Sequence, residues 1–208
     1  MIYNKKEIEE LDRITRLKII NSATGIKPAN LIGTIDNRGN TNLAVFSSVV
    51  HLGSNPALLG FISRPRTTDA GHTFTNIIKN EYYTINHIHP EFIKNAHYTS
   101  AKFPKDISEF ERCNLTEEYM KDFKAPFVKE STFKIGMRLK EVIDIKLNNT
   151  ALVIGEIENV TFPDESIVNS DIDLEVARGV GISGLNSYYA LKKIGNHPYV
   201  RVGEVPEL

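Results

Sequence analysis

The sequence predicts a mainly β protein, a closed antiparallel barrel with peripheral helices. Three observations carry that expectation. From Leu31 onward, short apolar segments alternate with turn residues, as in "LIGTI", "DNRGN", "TNLAVFSSVV", "GSNP" and "ALLGFI"; this spacing suits strands joined by tight hairpins. The helical patterns are inserted between runs of strands instead of alternating with them, which disfavours a parallel doubly wound sheet. Later, "FKIGMRLKEVIDIKL" and "ALVIGEIENVTF" flank "NN", and Ile143, Ile145 and Leu147 alternate as half-buried strand residues do.

Taken in order, Ile8, Leu11, Ile14 and Leu17 recur every three residues among charges, which predicts one short amphipathic helix. "NSATG" stops it, so residues 1–25 read as a helical extension of a single domain covering residues 1–208. "TFTNIIKN" from Thr73 predicts a helix of one or two turns, and "EYYTINHIH" from Glu81 returns to a period-two strand rich in β-branched and aromatic residues. Pro90 suits the first turn of a helix over "PEFIKNAHYTSA". "SEFE" from Ser108 and "TEEYMKDF" from Thr116 predict short capped helices.

Bulk properties narrow the function classes. A net charge of -1, with no run of five like charges, argues against a nucleic-acid footprint. An anionic ligand would need a few placed groups, not a general positive field. The apolar runs are too short to span a bilayer as a helix, so no membrane partner is expected. A single cysteine, Cys113, and an amino terminus without a secretory pattern point to the cytoplasm.

Several patterns have ordinary readings. "GVGISG" at Gly179 has the glycine spacing of a dinucleotide loop, but only 24 residues follow it, too few for the helix and second parallel strand that such a loop requires. A loop or strand bend accounts for those glycines. His87 and His89 would share a strand face, with His97 and Cys113 downstream, but no carboxylate or second cysteine stands at ligand spacing, so no metal is expected. Cys113 reads as a small half-buried side chain.

"NLAVFSSVVHLGSNP" is different: an apolar segment that carries Ser47, Ser48 and His51. On pattern alone the two serines fit a strand end or bulge, or a ligand contact. Beyond them, "FISRP" places Arg64 at the end of an apolar strand, and "RTTDAGHTFTNI" supplies Arg66, Thr67, Thr68, His72 and Thr73 ahead of a helix start. Hydroxyls, guanidinium groups and free amides at a helix amino terminus together suit a phosphate.

These residues resemble the flavin reductase-like proteins, FMN-binding split barrels. Many members carry a strand N-x-A-x-x-S, an apolar strand ending in a polar loop, and then K-D-T-x-x-N-I. Here "NLAVFSS" is similar to the first element, and "GHTFTNI" aligns Thr73, Asn76 and Ile77 with the last. "YTINHI", the Gly155–Glu156 pair in "ALVIGEIENV" and the tyrosines of "GLNSYYALKKIG" extend the resemblance from about Leu31 to about Tyr199. The family's lysine and aspartate are replaced by Gly71 and His72, which leaves Arg64, Arg66 or His72 to meet the phosphate.

The resemblance implies an antiparallel Greek-key split β-barrel that binds FMN as a homodimer, with the flavin near the interface. It implies an oxidoreductase that takes hydride from NAD(P)H and passes electrons to an acceptor; the alternative is an FMN carrier or sensor without turnover. Ser47 and Ser48 would then hydrogen-bond the polar edge of the ring while Val45 or Phe46 packs alongside, and Arg64, Arg66, Thr67, His72 and Thr73 would hold the phosphate. His51 and His87 would shape the nicotinamide side. Hydride transfer needs alignment more than a side-chain acid or base, so no catalytic residue is assigned.

Overall fold

The structure is a computed structural model that describes residues 1–64 and 72–204. Arg66, Thr67 and Thr68 of the expected phosphate loop lie outside the described residues.

Seven strands form one antiparallel sheet: β1 (Asn30–Ile35), β2 (Thr41–Phe46), β3 (Val50–Ser54), β4 (Ala57–Ser63), β5 (Tyr82–His87), β6 (Lys134–Ile145) and β7 (Thr150–Thr161). Their order across the sheet is β2-β1-β5-β6-β7-β4-β3, so the ladder does not close on itself. The expected closed ring is therefore replaced by an open seam between its two edge strands, β2 and β3, which are consecutive in the chain. A smaller three-stranded sheet pairs Lys27–Pro28 with β8 (Val180–Ser183), and β8 with β9 (Ser187–Ala190).

Alternation along β1 sends neighbouring side chains to opposite sides. Ile32 joins an inner cluster with Phe61, Tyr83, Ile85, Met137 and Val153, which Phe74 and Ile77 of helix α3 (His72–Asn80) cover. Leu31 joins an outer cluster with Leu43 and Ile88, sealed by Phe92, by Ala96 of α4 (Ile93–Tyr98) and by Phe110 of α5 (Glu109–Arg112). Each fully buried Leu, Ile, Val, Phe or Met side chain among them contributes roughly 1.5–3 kcal/mol from removal of apolar area. Gly155 of the Gly155–Glu156 pair has a packing reason: a Cβ there would collide with the Tyr83 hydroxyl across the barrel.

Three local expectations need correction. The amino-terminal helix is two helices, α1 (Lys5–Glu10) and α2 (Arg13–Ser22), because Asp12 caps the second by accepting from the Ile14 and Thr15 amides. "TNLAVFSSVV" is two strands with residues 47–49 between them. "TEEYMKDF" forms no helix: Glu117 and Glu118 pair as a short strand with Phe127 and Val128, while the Glu117 carboxylate accepts from the Thr41 and Tyr119 hydroxyls. "GVGISG" is strand β8 with its turn, where Gly184 takes a positive φ of 60°. Among the described residues, no helix is long and apolar enough to cross a membrane.

Candidate functional site

The site follows from what happens at the edge of β2. After Phe46 the chain crosses to the opposite edge of the sheet through residues 47–49. The Ser48 hydroxyl spans the seam there: it accepts from the Ile62 amide at 3.1 Å and lies 3.3 Å from the Ile62 carbonyl as donor. The Phe46 ring meets Phe61 edge to face at 5.0 Å. Side chains thus replace ladder rungs where β2 approaches β4, and among the described residues no strand pairs with the outer side of β2.

A cavity of about 680 Å³ runs along that open edge, within the usual size of a small-molecule site. Ala44, Val45, Phe46, Ser47 and Ser48 form its strand wall. Ile62, Ser63 and Arg64 at the end of β4, with His72, Thr73 and Phe74 at the start of α3, form one end. The far side comes from residues 99–103 and Glu109, and the third wall from the α2 carboxy terminus, Lys27, Ile182 and Leu185–Asn186. Lys27 ties that wall together by donating to the Asn21 carbonyl at 2.7 Å and reaching the Gly184 carbonyl at 3.4 Å.

The Thr73–Asn76–Ile77 spacing now has a physical account. Thr73 accepts from the Asn42 amide at 2.9 Å, Asn76 donates to the Thr34 hydroxyl at 3.1 Å, and Ile77 is fully buried. These contacts dock α3 on β1 and β2. Because Asn42 occupies an acceptor position of the Thr73 hydroxyl, the hydroxyl hydrogen remains available to an anion. Arg64 is exposed at the cavity rim and His72 is half-buried beside it.

Of the expected site residues, the cavity therefore gathers Phe46, Ser47, Ser48, Arg64, His72 and Thr73. It does not include His87 or His51. The His87 ring stacks flat on Phe133 at 4.1 Å, and burial, with the charge of His89 as a smaller cause, lowers its pKa to about 4. His51 is exposed on the edge strand β3. His89 is engaged inside the fold, with Nδ1 3.1 Å from the Arg178 carbonyl and Nε2 accepting from the Thr132 amide at 2.9 Å. No cluster of three His, Cys, Asp or Glu side chains among the described residues could hold a metal, and Cys113 is buried.

Sequence reasoning missed Asn42, Glu109, Lys27 and the segment from Thr99 to Phe103. Asn42 stands in the quoted motif and could have been paired with Thr73. The others reach the cavity from distant parts of the chain and carry no local signal.

Such a slot offers apolar faces from Val45, Phe46, Ile182 and Leu185, backbone hydrogen-bonding groups along an open strand, and a polar end with a guanidinium group and a helix start. It suits a flat, partly apolar molecule with a hydrogen-bonding rim and an anionic tail.

A model of the flavin reductase like domain matches residues 26–172. A Shewanella frigidimarina NCIMB 400 structure, named for a flavin reductase with split barrel domain, is 47% identical, with a TM-score of 0.92 over 96% of this chain and 100% of that one. Nitrilotriacetate monooxygenase component B of Bacillus cereus shares the fold at 17% identity, with a TM-score of 0.82 over 95% and 98% of the two chains. An NADH:FAD oxidoreductase of Streptomyces globisporus C-1027 does so at 12% identity, with a TM-score of 0.69 over 93% and 98%. With the family model covering well over half of its length, the chain belongs to the flavin reductase-like family of oxidoreductases.

Proposed function

We propose that the chain binds FMN in the cavity along β2 and promotes hydride transfer from NAD(P)H to it, as an FMN-dependent reductase. The observation that carries this reading is the convergence of Phe46 and Ser47 from the end of β2, Arg64 from the end of β4, and His72 and Thr73 from the start of α3 on one cavity beside an edge strand. The bound flavin supplies hydride acceptance and onward electron transfer.

The protein's own part is binding and orientation. Arg64, the Thr73 hydroxyl and the amides at the start of α3 hold the phosphate by charge-assisted hydrogen bonds. Phe46 and Val45 pack against the ring. Ser47 meets the polar rim; the Ser48 hydroxyl, committed to Ile62, shapes the turn that presents it. Residues 1–25 serve as a helical extension of the single domain, whose α2 end walls the cavity.

The working unit is a homodimer. Ile8 and Leu11 are half-buried, but Ile14 and Ile20 of α2 are 64% and 49% exposed, and Val50 and Leu52 of the edge strand are also open. A second copy would cover such apolar area. Light scattering should give twice the 23.4 kDa chain mass; a 23.4 kDa species with flavin bound contradicts the dimer. The NADH:FAD oxidoreductase among the similar structures supports the nicotinamide donor. Anaerobic addition of NADH or NADPH to the FMN-loaded protein should bleach the flavin, whereas bound FMN that stays oxidised would make the protein a carrier.

A further inference from the structure

Glu109 is a buried carboxylate with no cation paired to it among the described residues. It opens α5, is only 5% exposed, and lines the cavity. One oxygen, Oε2, accepts the Leu43 amide of β2 at 3.0 Å. Among the described residues, no other residue donates a hydrogen bond to Oε1 and the side chain has no ion-pair partner; besides the Leu43 amide, the main-chain amide of Glu109 itself supports the carboxylate. Burying a charged carboxylate is costly unless its lone pairs are satisfied, so one acceptor position stands open at the cavity wall. Burial also raises the carboxyl pKa, opposed by the Leu43 amide and by the main-chain amide of Glu109 itself.

The strand geometry says what lies beside that oxygen. Main-chain groups alternate in direction along an antiparallel strand. The Leu43 amide points away from β1, because Glu109 takes it, so the amide and carbonyl of Val45 point the same way. The open edge therefore presents a carboxylate oxygen next to an N–H and a C=O, a mixed acceptor and donor rim.

We propose that Glu109 is a ligand-reading residue of this cavity, its Oε1 accepting a hydrogen bond from an N–H or O–H donor of the bound molecule. The proposal rests on the flavin reading above. A flavin offers two such donors, the imide N–H of its ring and the hydroxyls of its ribityl chain.

Glu109→Gln tests it. The Leu43 amide is a donor, so the glutamine must turn its carbonyl oxygen to Leu43 and its NH2 to the cavity. The strand cap is kept while the acceptor facing the ligand becomes a donor. Binding of FMN, riboflavin and lumiflavin, which lacks the ribityl chain, would be followed by fluorescence titration at pH 8, together with thermal melting. An unchanged melt with riboflavin and FMN weakened about tenfold to a hundredfold is expected. If lumiflavin weakens equally, the partner is the ring N–H; if lumiflavin is unaffected, it is a ribityl hydroxyl. Glu109→Ala, which leaves the Leu43 amide to cavity water, should show the same loss and guards against a folding defect of the first variant. Unchanged affinity for all three flavins in both variants would overturn the proposal and leave Glu109 as a cap on β2. Wild-type protein that binds none of the three would instead overturn the flavin reading on which the proposal depends.

Discussion

Thr73→Val removes one hydroxyl and nearly nothing else in volume, and that hydroxyl has one task seen in the fold and a second, separable one proposed for the site. In the fold it accepts the buried Asn42 amide at 2.9 Å, and both residues are at most 7% exposed. Leaving the amide unsatisfied should cost about 1–3 kcal/mol, or a fall in Tm of roughly 2–4 °C per kcal/mol for a chain of this size. In the proposed site, the hydroxyl hydrogen would be given to the phosphate. A charge-assisted hydrogen bond contributes about 1.5–3 kcal/mol, so FMN should bind about tenfold to a hundredfold more weakly. Riboflavin has the same ring without the phosphate and should bind as before. Fluorescence titration of both ligands, with a melt of each protein, separates the two tasks. An unchanged preference for FMN over riboflavin would place the phosphate elsewhere and refute the reasoning, even if the melt falls as expected.

The neighbouring serines should behave differently from each other. Ser47→Ala is expected to shift the flavin spectrum or weaken flavin by about 1 kcal/mol, with the fold intact. Ser48→Ala should lower stability by about 1–2 kcal/mol through loss of the seam bonds to Ile62; urea unfolding distinguishes the two. Stability should also fall with acid. Burial lowers the pKa values of His87, to about 4, and of His89 in the folded protein. The unfolded chain therefore binds protons first as pH drops below about 6.5, and stability is lost between there and about 4. His87 contributes at most about 3 kcal/mol, since the residue is only half-buried. Denaturation midpoints should fall less across that window in a His87→Phe variant than in the parent, the remaining fall belonging to His89; a variant that falls as much as the parent, or a parent without the fall, refutes the assignment.

The strands of the barrel were legible because alternation and turn residues are local signals. "LIGTI" and "ALLGFI" each sit within an observed strand, and the "NN" hairpin lies between β6 and β7. What failed depended on distant partners. The break at residues 47–49 rests on Ser48 reaching Ile62, and "TEEYMKDF" gives up its helical pattern to pairing with residues 127–128 and to Thr41. The split of the amino-terminal helix was readable, since Asp12 is an ordinary capping residue. In the site, Arg64 and Thr73 stood out because they cluster near one predicted helix start. Glu109 and Lys27 did not, because neither has a neighbour in sequence that marks it. His87 looked like a site residue by its strand position, but its ring packs on Phe133 and not in the cavity.

The central claim is that the cavity along β2 holds FMN for reduction by a nicotinamide nucleotide. Its most direct measurement is an anaerobic absorbance titration of the purified protein, loaded with FMN, against NADH and NADPH. A protein-bound flavin spectrum that bleaches with one of the two donors is expected, as is loss of that bound spectrum in a variant carrying both Arg64→Ala and Thr73→Val. A folded wild-type protein that takes up no flavin, or a double variant that binds FMN as tightly as the parent, would contradict it.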